Sequence, residues 1–215
     1  MLGSSATGAR SERLRAAVDG HGAAVLQRHG AEGYTLPHEI DHGANLESLL
    51  EAGCDRVLAI GSVGSLREEI AVGSMVCPDD FIALQVRITT LDDAGAHSAP
   101  GFDRGWRQAV LDAGASAGAG LEDGGVYWQT TGPRFETPAE VRLLAAHAHL
   151  VGMTLASECV VAGELGLRYA AICVVDNLAN GIGPGPLGVE EMERHRDANA
   201  ARLHDSLESL LPELA

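Results

Sequence analysis

A chain of 215 residues, 46% of them hydrophobic, is long enough to bury a full core as one domain, and that argues against disorder. Thirty acidic residues against 15 basic ones, all of them Arg, leave a formal net charge of −15. Such a field repels nucleic acid and anionic membrane, so neither is expected as a partner.

Apolar runs short enough for buried strands recur at residues 23–27, 56–61, 74–81, 125–129, 150–153 and 169–175. Helical patterns lie between or after them, at 44–52, 103–117, 138–147, 156–166 and 187–211. This alternation predicts an α/β fold, a mainly parallel or mixed sheet flanked by helices on both faces, in a single domain spanning 1–215 with residues 1–15 irregular. Residues 85–103 read as a loop over one sheet edge. The cysteines at 54, 77, 159 and 173 have no Cys-x-x-Cys spacing and mostly lie in apolar runs, as buried thiols do in a reducing compartment. Residues 1–10 have no apolar signal segment, and no run reaches membrane-spanning length, so a cytoplasmic protein is expected.

Strand ends are where α/β proteins place their chemistry, and four of them here carry small or polar clusters. Arg28-His29-Gly30 follows the first run: a guanidinium fork matches phosphate, and the imidazole can add a hydrogen bond or charge. Taken alone, the pair reads as solvated surface sooner than as a site. Gly61-Ser62-Val63-Gly64-Ser65 would let backbone N–H groups approach an anion. Thr154 offers a hydroxyl to the same anion, or a plain N-cap for the helix that follows. Asp176-Asn177-Leu178-Ala179-Asn180-Gly181 ends the last strand. The nine histidines show no zinc-type spacing, so no metal is expected.

The most specific stretch is Gly-Pro-Arg-Phe-Glu-Thr-Pro-Ala-Glu at 132–140. Thr137, Pro138 and Glu140 make a helix start without any function. They leave Phe135 and Glu136 unexplained, an aromatic face beside a carboxylate that suits a heterocyclic base.

Together with Val-Gly-Met-Thr at 151–154, Glu158 and the run at 174–187, this stretch resembles the trimeric purine nucleoside and methylthioadenosine or methylthioinosine phosphorylases. The resemblance extends from about residue 22 to about residue 191. It implies a nucleoside-phosphorylase fold, a single α/β domain around a twisted mixed sheet, together with a homotrimer and no cofactor beyond phosphate as co-substrate. It assigns phosphate to Arg28, His29, the backbone at Ser62 and the Thr154 hydroxyl. Phe135 and Met153 become walls beside base and ribose, Glu136 and Asn177 polar contacts to the purine, and His97 a residue reaching a neighbouring subunit's site. Asn177, with Arg28 and His29, then carries the catalysis, and Asn177 with the small Ala179 implies a 6-oxopurine.

The chain also departs from that family. An opening strand with a Gly-Gly-Ser/Thr-Gly phosphate loop has no match, Gly3-Ser4-Ser5 being at best a degenerate stand-in. Gly33, Gly43, Gly61, Thr131 and Ser157 stand where relatives carry other residues. The expected activity is phosphorolysis of a 6-oxopurine nucleoside, including 5′-modified ones. A hydrolase or base-exchange enzyme and a purine-binding partner subunit are the alternatives.

Overall fold

The computed structural model describes residues 21–30, 33–183 and 188–214. In chain order it contains α1 (His42–Glu51), β1 (Arg56–Ser65), β2 (Met75–Cys77), β3 (Asp80–Ile82), α2 (Arg104–Ser116), β4 (Leu121–Asp123), β5 (Val126–Gln129), α3 (Pro138–Ala145), β6 (Leu150–Gly152), α4 (Leu155–Glu164), β7 (Arg168–Leu178) and α5 (Val189–Leu210). The seven strands make one mixed sheet in the order β3-β5-β6-β1-β7-β2-β4.

Two short links show that this sheet is rolled. Two residues separate β2 from β3, and two separate β4 from β5, although each pair lies five places apart in the sheet. Such a link spans roughly 10 Å, whereas five strand spacings in a flat sheet amount to about 24 Å. The ends must therefore curl together. The links bond to each other there, Asp79 N to Gly125 O at 3.2 Å and Gly124 N to Cys77 O at 3.0 Å.

β7 is the spine. It pairs in parallel with β1 over the whole of that strand, and its side chains alternate between two cores. Tyr169, Ala171, Cys173 and Val175 pack with residues of α1 and α4, while Ala170, Ile172 and Val174 pack with Trp106 and Val110 of α2 and Leu203, Leu207 and Leu210 of α5. Helices on both faces explain why a sheet strand reads as a continuous apolar run. All four cysteines are unpaired, and burial pushes the thiol of Cys77 up to about 11 and that of Cys159 up to about 12. No helix among the described residues is long and apolar enough to cross a membrane.

Two expectations are corrected, and one strand is added. Residues 23–27 form no strand: Val25 packs toward one core and Leu26 toward the other, but among the described residues no strand pairs with them. Alternating burial reports how side chains partition, not whether a neighbouring backbone lies within bonding distance. The run 74–81 is two strands, because Pro78 has no N–H to donate to a ladder. β4 was not foreseen; at three residues, with two of them exposed, it carries no periodic signal. The expected irregular residues 1–15, Gly3-Ser4-Ser5 and the 184–187 part of the last motif lie outside the described residues.

Candidate active site

A cavity of about 310 Å3 opens where β1, β6 and β7 end, a volume suited to a small ligand. Arg28, His29, Ser62, Thr154, Phe135, Glu136, Met153, Asn177 and Ala179 all line it. Of the expected site residues, only His97 is absent. It sits exposed in the 85–103 loop, just after the 3-10 turn Ala94–Ala96. A second, larger groove of about 440 Å3 runs along β1 beside residues 21–26, but its walls are mainly aliphatic and the clustered polar groups are in the first cavity.

The floor of one end is a buried polar network. Arg28 donates from Nε to Glu158 Oε1 at 2.6 Å and from Nη2 to Oε2 at 3.0 Å. Its Nη1 reaches the Ile60 carbonyl at 3.1 Å and Thr154 Oγ1 at 3.4 Å. The Tyr169 hydroxyl donates to Glu158 Oε2 at 2.7 Å. Burial alone would raise the Glu158 carboxyl, but Arg28, His42 and Tyr169 outweigh it and hold the group below the usual carboxylate range.

Next to Arg28, His29 stacks on Tyr34 with ring centroids 5.0 Å apart. Its Nδ1 lies 2.8 Å from the Thr35 carbonyl, so Nδ1 carries the proton and donates. Burial pushes the imidazole below its ordinary value, with Arg28 acting in the same direction, so the ring is neutral at pH 7 with an acceptor at Nε2.

Thr154 occupies the N-cap position of α4, yet its side chain makes no capping bond. The Tyr127 hydroxyl accepts from Thr154 N at 3.2 Å and from Leu155 N at 3.4 Å. Gly152 makes this possible, since a Cβ there would stand 2.7 Å from that hydroxyl. Gln129 and Ser157 tie β5 to α4 reciprocally, Nε2 to Oγ at 2.6 Å and Ser157 N to Oε1 at 3.0 Å. Ser62 Oγ donates to Asp176 Oδ2 at 2.5 Å, and Asn199 of α5 donates to the other oxygen of that carboxylate at 2.8 Å.

At the other end, the β1–β7 register slips after Val63, so that Gly64 faces Asn177 and Asp176 is the extra residue. This bulge shifts the register by one residue and delivers Asn177 to the cavity. A Cβ on Gly64 would lie 3.1 Å from Asn177 Nδ2, so the glycine leaves that amide its room. Asn177 Nδ2 gives one hydrogen to the Leu178 carbonyl at 3.0 Å, which leaves its second hydrogen and its oxygen for a ligand. Glu136 is buried, accepting from Thr130 Oγ1 at 2.6 Å, and Asn180 holds its carbonyl at 3.1 Å. The helix start next to it is a full capping box between Thr137 and Glu140.

Sequence reading missed Tyr34 and Arg196, both of which line the cavity. Arg196 lies in a charged helix, where an Arg reads as solvated surface, and only the docking of α5 on β7 turns it inward. It also missed His204, Asp205 and Glu208, whose ligand atoms lie within 4.8 Å of one another on α5. None of the three lines the cavity, and His204 Nε2 lies 3.3 Å from Glu208 Oε1, one helical turn on.

The sequence profile of the phosphorylase superfamily matches residues 8–212. A relative from Archaeoglobus fulgidus, named "Probable 6-oxopurine nucleoside phosphorylase", is 40% identical over 184 residues, 85% of this chain and 76% of its own length. Another from Methanothermobacter thermautotrophicus, named "Probable S-methyl-5'-thioinosine phosphorylase", is 36% identical over 92% of this chain and 70% of its own. Among solved structures, a Q289L mutant of the adenosine/methylthioadenosine phosphorylase of Schistosoma mansoni with adenine superposes with a TM-score of 0.77. It covers 87% of this chain and 75% of that one at 23% identity, and so bears on the fold. On fold, profile and relatives together, the chain belongs to the phosphorylase superfamily.

Proposed function

We propose that this chain cleaves the N-glycosidic bond of a 6-oxopurine nucleoside with phosphate, releasing the base and the sugar 1-phosphate. The observation that carries the reading is the two-ended cavity, with an amide and a carboxylate beside an aromatic ring at one end and Arg28, His29 and Thr154 at the other. The relatives' names point to the same substrate class.

The base end selects by hydrogen-bond polarity. A carboxylate such as Glu136 only accepts, which suits the N1–H of hypoxanthine or guanine and opposes the bare N1 of adenine. Asn177 has one N–H left, which donates to N7 or O6, both of them acceptors. In the reaction the bond from C1′ to the purine breaks with its electron pair moving onto the base, and a phosphate oxygen bonds to C1′. The negative charge on the ring is met by the Asn177 amide, and the purine takes its proton from water. Holding phosphate below C1′ and a donor beside N7 supplies proximity and preorganised electrostatics.

Thr154 and the neutral His29 contribute hydrogen bonds to phosphate in this scheme, His29 accepting from a P–OH. The resemblance supports a cytoplasmic homotrimer of one-domain subunits, in which the exposed His97 reaches a neighbour's cavity. Sedimentation equilibrium showing a monomer at micromolar concentration would remove that assembly.

The deciding experiment is product analysis of inosine, guanosine and methylthioinosine turnover with and without phosphate. Sugar 1-phosphate formed only with phosphate is expected. Free sugar at a phosphate-independent rate would assign a hydrolase, and purine binding without cleavage would assign a binding subunit.

A further inference from the structure

An anion at the Arg28 end of the cavity needs a positive partner, and the expected ones are committed elsewhere. Arg28 faces the wholly buried Glu158 with two donors and spends Nη1 on Ile60 and Thr154, so its charge is offset and few of its donors remain. His29 is neutral and offers the cavity an acceptor rather than a cation.

Arg196 is different. It lines the same cavity, its side chain is only 14% exposed, and its Nε is buried without a hydrogen-bond partner. The carboxylate paired with it, Glu193, stands 3.7 Å from Nη2, beyond hydrogen-bond distance, and is itself half exposed. Tyr34, stacked on His29, lies near enough to feel its charge. A guanidinium withdrawn from water with unused donors is costly, and an oxyanion in the cavity relieves that cost.

We propose that Arg196 is the principal anion-recognising cation of this cavity and that its guanidinium takes phosphoryl oxygens. Two sources share that chemistry: free inorganic phosphate as co-substrate, or a 5′-phosphoryl group on the nucleoside. The first rests on the phosphorolysis reading; the second needs only a purine-binding cavity.

The test is calorimetric titration of the full 215-residue chain, as wild type, R196Q and R196K, with inorganic phosphate, inosine 5′-monophosphate, inosine and hypoxanthine. A charge-assisted pair of this kind carries about ten- to a hundredfold in affinity. R196Q is expected to lose that factor for a phosphoryl ligand while hypoxanthine binds within about twofold of wild type. R196K, which keeps the charge without the fork, is expected to fall between. It reads the same dependence if R196Q does not fold. A loss for inorganic phosphate assigns the co-substrate; a loss confined to the monophosphate, with inosine unaffected, assigns the 5′-phosphoryl group. Unchanged phosphoryl binding in both variants, or none in the wild type, overturns the proposal. Arg196-dependent phosphate binding without hypoxanthine binding would keep it and sink the proposed function instead.

Discussion

Arg28 and Glu158, 130 residues apart, meet in a two-pronged ion pair with both side chains withdrawn from solvent, 2% and 0% exposed. It joins the segment before α1 to α4 and fixes the floor of the cavity. Such a pair adds little net stability over an apolar replacement, but losing one partner leaves the other charged and buried. Glu158→Gln is therefore expected to cost about 3–5 kcal/mol, which lowers the melting temperature by on the order of 10 °C in a chain of this size. Urea unfolding measures it, and a loss below about 1 kcal/mol would show that Arg28 finds another partner.

Stability should fall on mild acidification. Burial is the main cause that lowers both His29 and His42, and His42 Nδ1, 4.0 Å from Glu158, has no hydrogen-bond partner. Once unfolded, both rings take protons near the ordinary value of about 6.5. The unfolded state then binds more protons than the folded one, so stability is full above about pH 6.5 and drains as pH falls toward the folded values. Glu158, held below the carboxylate range, stays ionised through that window. Thermal melts at about pH 7.5 and 5.5 should differ, and His42→Asn should flatten the difference. An unchanged slope in that variant would exclude His42 as a source.

The parts of the fold legible in sequence were those with a long repeating signal. β7 is buried on both faces and α4 is helical over three turns, so both were found within a few residues. β4, two-thirds exposed, left no such trace, and residues 23–27 imitate a strand because Val25 and Leu26 turn to opposite cores. At the site, residues beside glycine-rich strand ends were legible because local chemistry marks them. Arg196 was not, since its orientation depends on how α5 docks, a tertiary fact with no local signature.

Base choice should follow Asn177. Hypoxanthine is expected to bind better than adenine, and Asn177→Asp to shift the balance toward adenine by exchanging an amide donor for a second acceptor. One mismatched polar contact in a buried site costs about 1–3 kcal/mol, or roughly ten- to a hundredfold. Calorimetry with both bases reads it directly. Equal affinities in the unmutated protein would remove the argument from Asn177 and Glu136.

The Gln129 amide should control phosphate without touching it. Gln129 is buried and does not line the cavity, but by accepting from Ser157 N, the third amide of α4 and one that an N-cap side chain takes, it frees the Thr154 side chain from capping. In Gln129→Leu that amide loses its acceptor, and the nearest replacement is the Thr154 hydroxyl, already at the N-cap position. Turning it to the helix withdraws it from Arg28 and from the anion. The variant should lose about 1 kcal/mol of stability, raise the KM for phosphate several-fold and leave hypoxanthine affinity unchanged. Thr154→Val should raise the same KM, and the double variant should be no worse for phosphate than Thr154→Val alone, since both act through one hydroxyl. Thr154→Ser, which keeps the oxygen, should restore most of the affinity. Additive phosphate effects in the double variant would mean that Gln129 acts by another route, and a phosphate KM untouched by Thr154→Val would remove the hydroxyl from the anion site.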